Sequence, residues 1–135
     1  MSGTSLLAYV DGLIAPYITA LKSFLTPASV AITLPSGWTN VGGSNAQAYA
    51  TKYNNVVVSK GLITGAASAI NTIICTLPTG MVPTDGLRYF NLPMYNGTSW
   101  GSIQVSVNTS GNVTILAATS TTTQIDLSSI VFSTL

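Results

Sequence analysis

The stretch Ile103-Gln-Val-Ser-Val-Asn-Thr-Ser-Gly-Asn-Val-Thr-Ile115 decides the fold class. Ile103, Val105 and Val107 alternate with Gln104, Ser106 and Asn108, the period-two pattern of a strand with one buried face. Ser110-Gly-Asn112 supplies turn residues, and Val113-Thr-Ile115 carries the chain back. The segment therefore predicts a β-hairpin.

The same grammar extends outward. Asn96-Gly97 is a strong hairpin turn after the predicted strand Arg88–Tyr95. Pro93 cannot donate to a ladder, which places that strand at a sheet edge. Val30 to Leu34 reads as a first strand closed by Pro35-Ser-Gly37, and Trp38 opens the next element before a Gly/Ser/Asn-rich loop, Thr39 to Asn45. Tyr49 to Tyr53 reads as an edge strand, and Asn54-Asn55 as a turn. Val56–Ser59 and Leu62–Thr64 read as a hairpin joined by Lys60-Gly61. Ile70 to Leu77 is apolar and β-branched and reads as a central strand carrying Cys75, stopped by Pro78. Thr119 to Thr123 is a polar run of loop or solvated strand. In Gln124 to Leu135 the apolar parity changes between Ile125/Leu127 and Ile130/Phe132, which a bulge at Ser128-Ser129 or burial on both faces explains. Some eight to ten short strands with turns between them specify an all-β, antiparallel β-sandwich or jelly-roll-like domain over residues 28–135.

Residues 1–27 obey a different period. Leu7, Val10, Ile14, Tyr17, Leu21 and Phe24 are spaced 3-4-3-4-3, the seam of a helix. Asp11-Gly12 and Pro16 predict a kink or break, and Thr26-Pro27 an end. So short a helix is marginal alone, which favours a bundle in which several chains share the seam. The interruptions also argue against a membrane span.

Composition narrows the chemistry. The 135 residues are 47% hydrophobic but only 5% charged, with no His, no Glu and one Cys. A typical domain carries about 25% charge. Such a chain buries extra surface in an oligomer, and its polar surface is neutral and hydrogen-bonding. The four basic residues are scattered, so no footprint for nucleic acid or an anionic membrane exists. Catalysis lacks a proton carrier. Asp85 and Asp126 form the one conceivable carboxylate pair, and no zinc set is present. The chain requires no cofactor. A lone Cys75 in an apolar run reads as a buried small hydrophobe.

Binding candidates follow from the few charges and aromatics. Asp85 and Arg88, in the loop Thr79 to Arg88 stiffened by Pro78, Gly80 and Pro83, offer an acceptor and a donor to a sugar. Trp100, near a hairpin tip beside Tyr89 and Tyr95, offers a stacking face. Three sequons begin at Asn96, Asn108 and Asn112, as chance allows in an Asn/Thr/Ser-rich chain.

Taken in order, Trp38, Tyr53–Ile63, Ile74–Pro83, Val105–Ile115 and Ile125–Phe132 resemble the head domains of bacteriophage tail fibres and receptor-binding proteins. The resemblance spans about residues 30–135. It implies a homotrimer of β-sandwich heads on a short N-terminal stalk. Such a trimer sits on the virion among other virion proteins and attaches to a host cell-surface saccharide or protein receptor without enzymatic activity. A ligand-free virion decoration or spike protein and a lectin-like cell-surface module remain open alternatives. The resemblance carries over no binding residues; the candidate ligand-binding residues, taken from the chain's own charges and aromatics, are Asp85, Arg88, Tyr95 and Trp100, and the candidate trimer seam is the helical stripe above.

Overall fold

The computed structural model describes residues 3–65, 69–118 and 123–135. Thr119 to Thr122, most of the polar run, fall outside these residues, as do the side chains of Thr4, Ser23 and Phe24.

Helix α1 (Gly3–Leu25) is continuous. The expected break at Gly12 or Pro16 does not occur. Pro16 removes the bond to the carbonyl of Gly12, and glycine has the widest backbone latitude to absorb the ring beneath it. The helix ends where Thr26 donates both its backbone N–H (2.8 Å) and its hydroxyl (2.7 Å) to the Lys22 carbonyl. Every described side chain of α1 is exposed.

Two antiparallel sheets follow. The strands are β1 (Ala28–Ala31), β2 (Trp38–Asn40), β3 (Tyr49–Tyr53), β4 (Val56–Lys60), β5 (Leu62–Gly65), β6 (Ile73–Thr76), β7 (Arg88–Tyr95), β8 (Trp100–Val107), β9 (Asn112–Ala118), β10 (Gln124–Asp126) and β11 (Val131–Ser133). One sheet has the order β1-β3-β4-β11, the other β2-β5-β10-β7-β8-β9-β6. The Ile103–Ile115 segment forms the expected β8–β9 hairpin. Asn108 Oδ1 accepts from the N–H groups of Ser110 and Asn112, each at 3.0 Å. Between the sheets lies one core that includes Val57, Ile63, Ile74, Leu92, Met94, Ile103, Val105, Ile115, Ile125 and Phe132.

The sheets are joined by ribbons that change sheet. β4 and β5 do not form a hairpin with each other. Gly61 (φ +120°) bends the chain without reversing it, so β4 pairs with β3 and β11 while β5 pairs with β2 and β10. The partner ribbon makes the same corner through a one-turn 3-10 helix, Leu127–Ser129, capped by Asp126. Leu127 N–H donates to Gly61 O at the bend (3.0 Å). That corner, not a bulge at Ser128-Ser129, explains the parity change: Ile125 points inward from one sheet and Phe132 from the other. At the opposite side, Thr33 bridges Thr76 and joins the two sheets there as well.

Four further expectations are corrected. Tyr49–Tyr53 is an inner strand, because β1 covers its second edge. Arg88–Tyr95 is also inner. β10 pairs only with Met94 and Tyr95, so Pro93 lies just outside that ladder and no donor is missed. The Ile70–Leu77 run is not a central strand. Asn71 (φ +71°) sits in a turn, and only Ile73–Thr76 pairs, at the end of its sheet. The first strand is likewise displaced, to Ala28–Ala31, with Ile32 and Thr33 reaching onward to Ala48 and Thr76.

Candidate functional site

The predicted binding residues sit at the two ends of β7. Arg88 opens that strand and Tyr95 closes it, seven steps or about 23 Å apart. They form two pairs, not one cluster.

At the first end, Arg88 Nη2 donates to both carboxylate oxygens of Asp85, at 2.8 and 2.7 Å. The side chains are 40% and 53% exposed, so solvent screens the pair and it contributes at most about 1 kcal/mol. The two charges neutralise each other and order the loop. An open cleft of about 470 Å³ lies beside them, lined by Leu87, Arg88, Tyr89, Phe90, Val131, Phe132 and Ser133. The preceding loop is anchored from below: Met81 is buried, and Lys52 donates to Gly80 O at 2.9 Å.

At the second end, Tyr95 faces Trp100 across the hairpin. Their rings lie 5.4 Å apart at 45°, and Trp100 is 60% exposed. The tip is rigid for local reasons. Asn96 Oδ1 accepts from the N–H groups of Thr98 (2.9 Å) and Ser99 (2.8 Å), and the Tyr95 hydroxyl donates to Gly97 O (3.0 Å). Trp100 also lines a second open cleft, of about 310 Å³, with Asn45, Ala46, Gly61, Leu62, Asp126 and Ser128. The cleft lies at the sheet-switching corner. Asp126 is held there by cap bonds from Ser128, whose N–H (2.9 Å) and hydroxyl (2.6 Å) both donate to Oδ1. Asp85 is tied to Arg88 at the other end of β7, so the structure does not bring the two aspartates together as a catalytic pair.

The sequence reading did not single out Asn45 and Ser128, which line this cleft with Trp100, and placed Asp126 only as a candidate acid. The signals were present. Asn45 closes the polar loop after Trp38, and Asp126-Leu-Ser128 has the spacing of a side-chain cap. The three sequon asparagines have structural work: Asn96 and Asn108 cap turns, and Asn112 Oδ1 accepts from the Thr76 hydroxyl (3.2 Å). Cys75 is fully buried, and burial pushes its thiol from 9.0 up to about 12. No group of three or more His, Cys, Asp or Glu able to hold a metal occurs among the described residues. Of the seam residues, Leu7, Val10, Ile14, Tyr17 and Leu21 are all exposed, and the Phe24 side chain lies outside the described part.

Superposition on known structures decides the fold. The chain has the fold of a phage receptor-binding protein. It matches the receptor binding protein (gp15) of Listeria phage PSA with a TM-score of 0.78 at 18% identity, over 100% of this chain and 81% of that one. No protein-family model and no curated protein sequence matches the chain.

Proposed function

We propose that this chain is the receptor-binding head of a phage, carried on the virion tail as a homotrimer and attaching to a host-surface saccharide. The observation that carries the reading is the whole-chain likeness to a phage receptor-binding protein, helix included. Composition supports it. A surface of Ser, Thr, Asn and Gly with 5% charge suits hydroxyl-rich ligands and a shared subunit interface. We read the head as binding without catalysis.

The helix supports the trimer. At 100° per residue, Leu6, Leu7, Tyr9, Val10, Leu13, Ile14, Tyr17, Ile18, Leu21 and Leu25 fall on one half of the cylinder, and Asp11, Thr19 and Lys22 on the other. A half-cylinder is broader than a dimer seam needs and suits a helix that meets two neighbours. No helix among the described residues is long and apolar enough to cross a membrane. A helix lying on a membrane surface calls for several basic residues on its polar face, and α1 offers Lys22.

The test is binding of the fluorescently labelled intact protein to a panel of bacterial strains, with purified cell-wall polysaccharides as competitors. Saturable binding to some strains, competed by their own wall polysaccharide, is expected. Absence of binding to every strain, including the host of the phage that encodes the chain, overturns the reading.

A further inference from the structure

We propose that the cleft between Trp100, Asp126 and Asn45 takes one uncharged pyranose unit of the receptor, stacked on the indole and held through neighbouring hydroxyls. The inference rests on the receptor-binding reading and names the ligand class and its site.

Three observations carry it. The first is a stacking face that is both open and fixed. Trp100 is 60% exposed, yet it is braced against Tyr95, which is itself tied to Gly97 O. A platform ordered before binding loses little entropy on binding. The second is the hydrogen-bonding set. Both cap bonds to Asp126 fall on Oδ1, which fixes the carboxylate and leaves Oδ2 to accept from a ligand hydroxyl. Ser128 gives its proton to Asp126 and keeps acceptor lone pairs. Asn45 uses one amide proton on Gly42 O (3.1 Å) and keeps its carbonyl and the other proton. The cleft thus presents mostly acceptors and one donor, the complement of vicinal hydroxyls. The third is charge. The one ionisable group lining the cleft is a carboxylate, and no basic residue lines it. Arg88 is engaged with Asp85 at the far end of β7, and Lys52 with Gly80. A phosphate, sulfate or carboxylate on the sugar meets the Asp126 carboxylate with no cation among the lining residues to offset the repulsion. The volume of about 310 Å³ lies at the lower end of small-ligand clefts, which fits a single ring.

The experiment is a tryptophan-fluorescence titration of the intact protein. The probes are the methyl glycosides of glucose, N-acetylglucosamine and rhamnose, with glucuronic acid and glycerol phosphate as anionic controls. Trp38 is buried at 5% exposure, so the ligand-dependent signal reports Trp100. At least one neutral glycoside is expected to give a saturable change, with the anionic probes weaker by roughly tenfold or more. Trp100→Ala abolishes the binding, Trp100→Phe keeps part of it, and Asp126→Asn weakens it about tenfold through loss of a charged acceptor. The proposal is overturned if no neutral glycoside gives a saturable change, if an anionic probe binds as well, or if Trp100→Ala, folded by circular dichroism, binds neutral sugar normally. Full cell binding by the Trp100→Ala and Asp126→Asn variants removes this cleft and leaves the receptor-binding reading intact. A wild-type protein that binds no cells removes that reading itself.

Discussion

Gly61→Ala tests the corner on which the two-sheet architecture turns. Gly61 has φ +120°, and an added Cβ would stand 2.5 Å from Ala48 Cα and 2.7 Å from both Ala48 N and Gln47 O. These are backbone atoms, so no side-chain rotation relieves the clash. Alanine at positive φ costs about 1–2 kcal/mol, and forced overpacking about 1–3 kcal/mol more. The sum, about 2–5 kcal/mol, is a large share of the roughly 5–15 kcal/mol that holds a domain folded. Gly97→Ala is the matched control. Gly97 also has a positive φ, +94°, but nothing lies within 4 Å of its Cβ position. It incurs only the conformational cost of about 1–2 kcal/mol. At roughly 4 °C per kcal/mol for a domain of this size, Gly61→Ala lowers Tm by about 8–20 °C and Gly97→Ala by about 4–8 °C. Differential scanning calorimetry of both variants reads the difference. Equal Tm values within about 2 °C would refute the steric account of the corner.

Other outcomes follow from single residues. Ile14→Asp, on the apolar half of α1, should convert the proposed trimer of three 13.9 kDa chains into monomers, read by light scattering; a trimer that survives the substitution places the contacts elsewhere. Cys75 should resist iodoacetamide at pH 8 in the folded protein and react promptly in guanidinium, because the reactive thiolate is disfavoured where it is buried. The folded thiol is raised above its unfolded value, so its contribution to stability is complete below pH 9 and is lost as pH rises from 9 toward about 12, which denaturant titrations across that range would reveal. Ser59→Ala should be neutral or stabilising by up to about 1 kcal/mol in a urea melt, because the buried Ser59 Oγ has no hydrogen-bond partner; a clear loss of stability would mean that this hydroxyl is satisfied in solution.

What could be read from the chain was what local rules determine. The β8–β9 hairpin and the Asn54-Asn55 turn between β3 and β4 were legible because alternation and turn residues act within a dozen positions. The apolar stripe of α1 was legible for the same reason. What failed was the assignment of neighbours. Whether β3, β6 or β7 lies at an edge depends on pairings with β1, β9 and β10, tens of residues away. The corner at Gly61 looked like a hairpin turn because a glycine that bends a ribbon and one that reverses it have the same local signature; the Ala48 backbone behind it makes the difference. In the site, Trp100 and Tyr95 were visible as aromatics beside a turn. Asn45 and Ser128 were not, because the corner that gathers them is built from the β2–β3 loop and the 3-10 turn, which are far apart in sequence.

The central claim is attachment to the host surface. The most direct measurement is the adsorption rate, on its host, of the phage proposed to carry this chain, with and without pre-incubation of the cells with saturating purified protein. Occupied receptors are expected to slow adsorption by at least tenfold, and protein carrying Trp100→Ala to leave it unchanged. Adsorption at the uninhibited rate on cells saturated with wild-type protein would contradict the account.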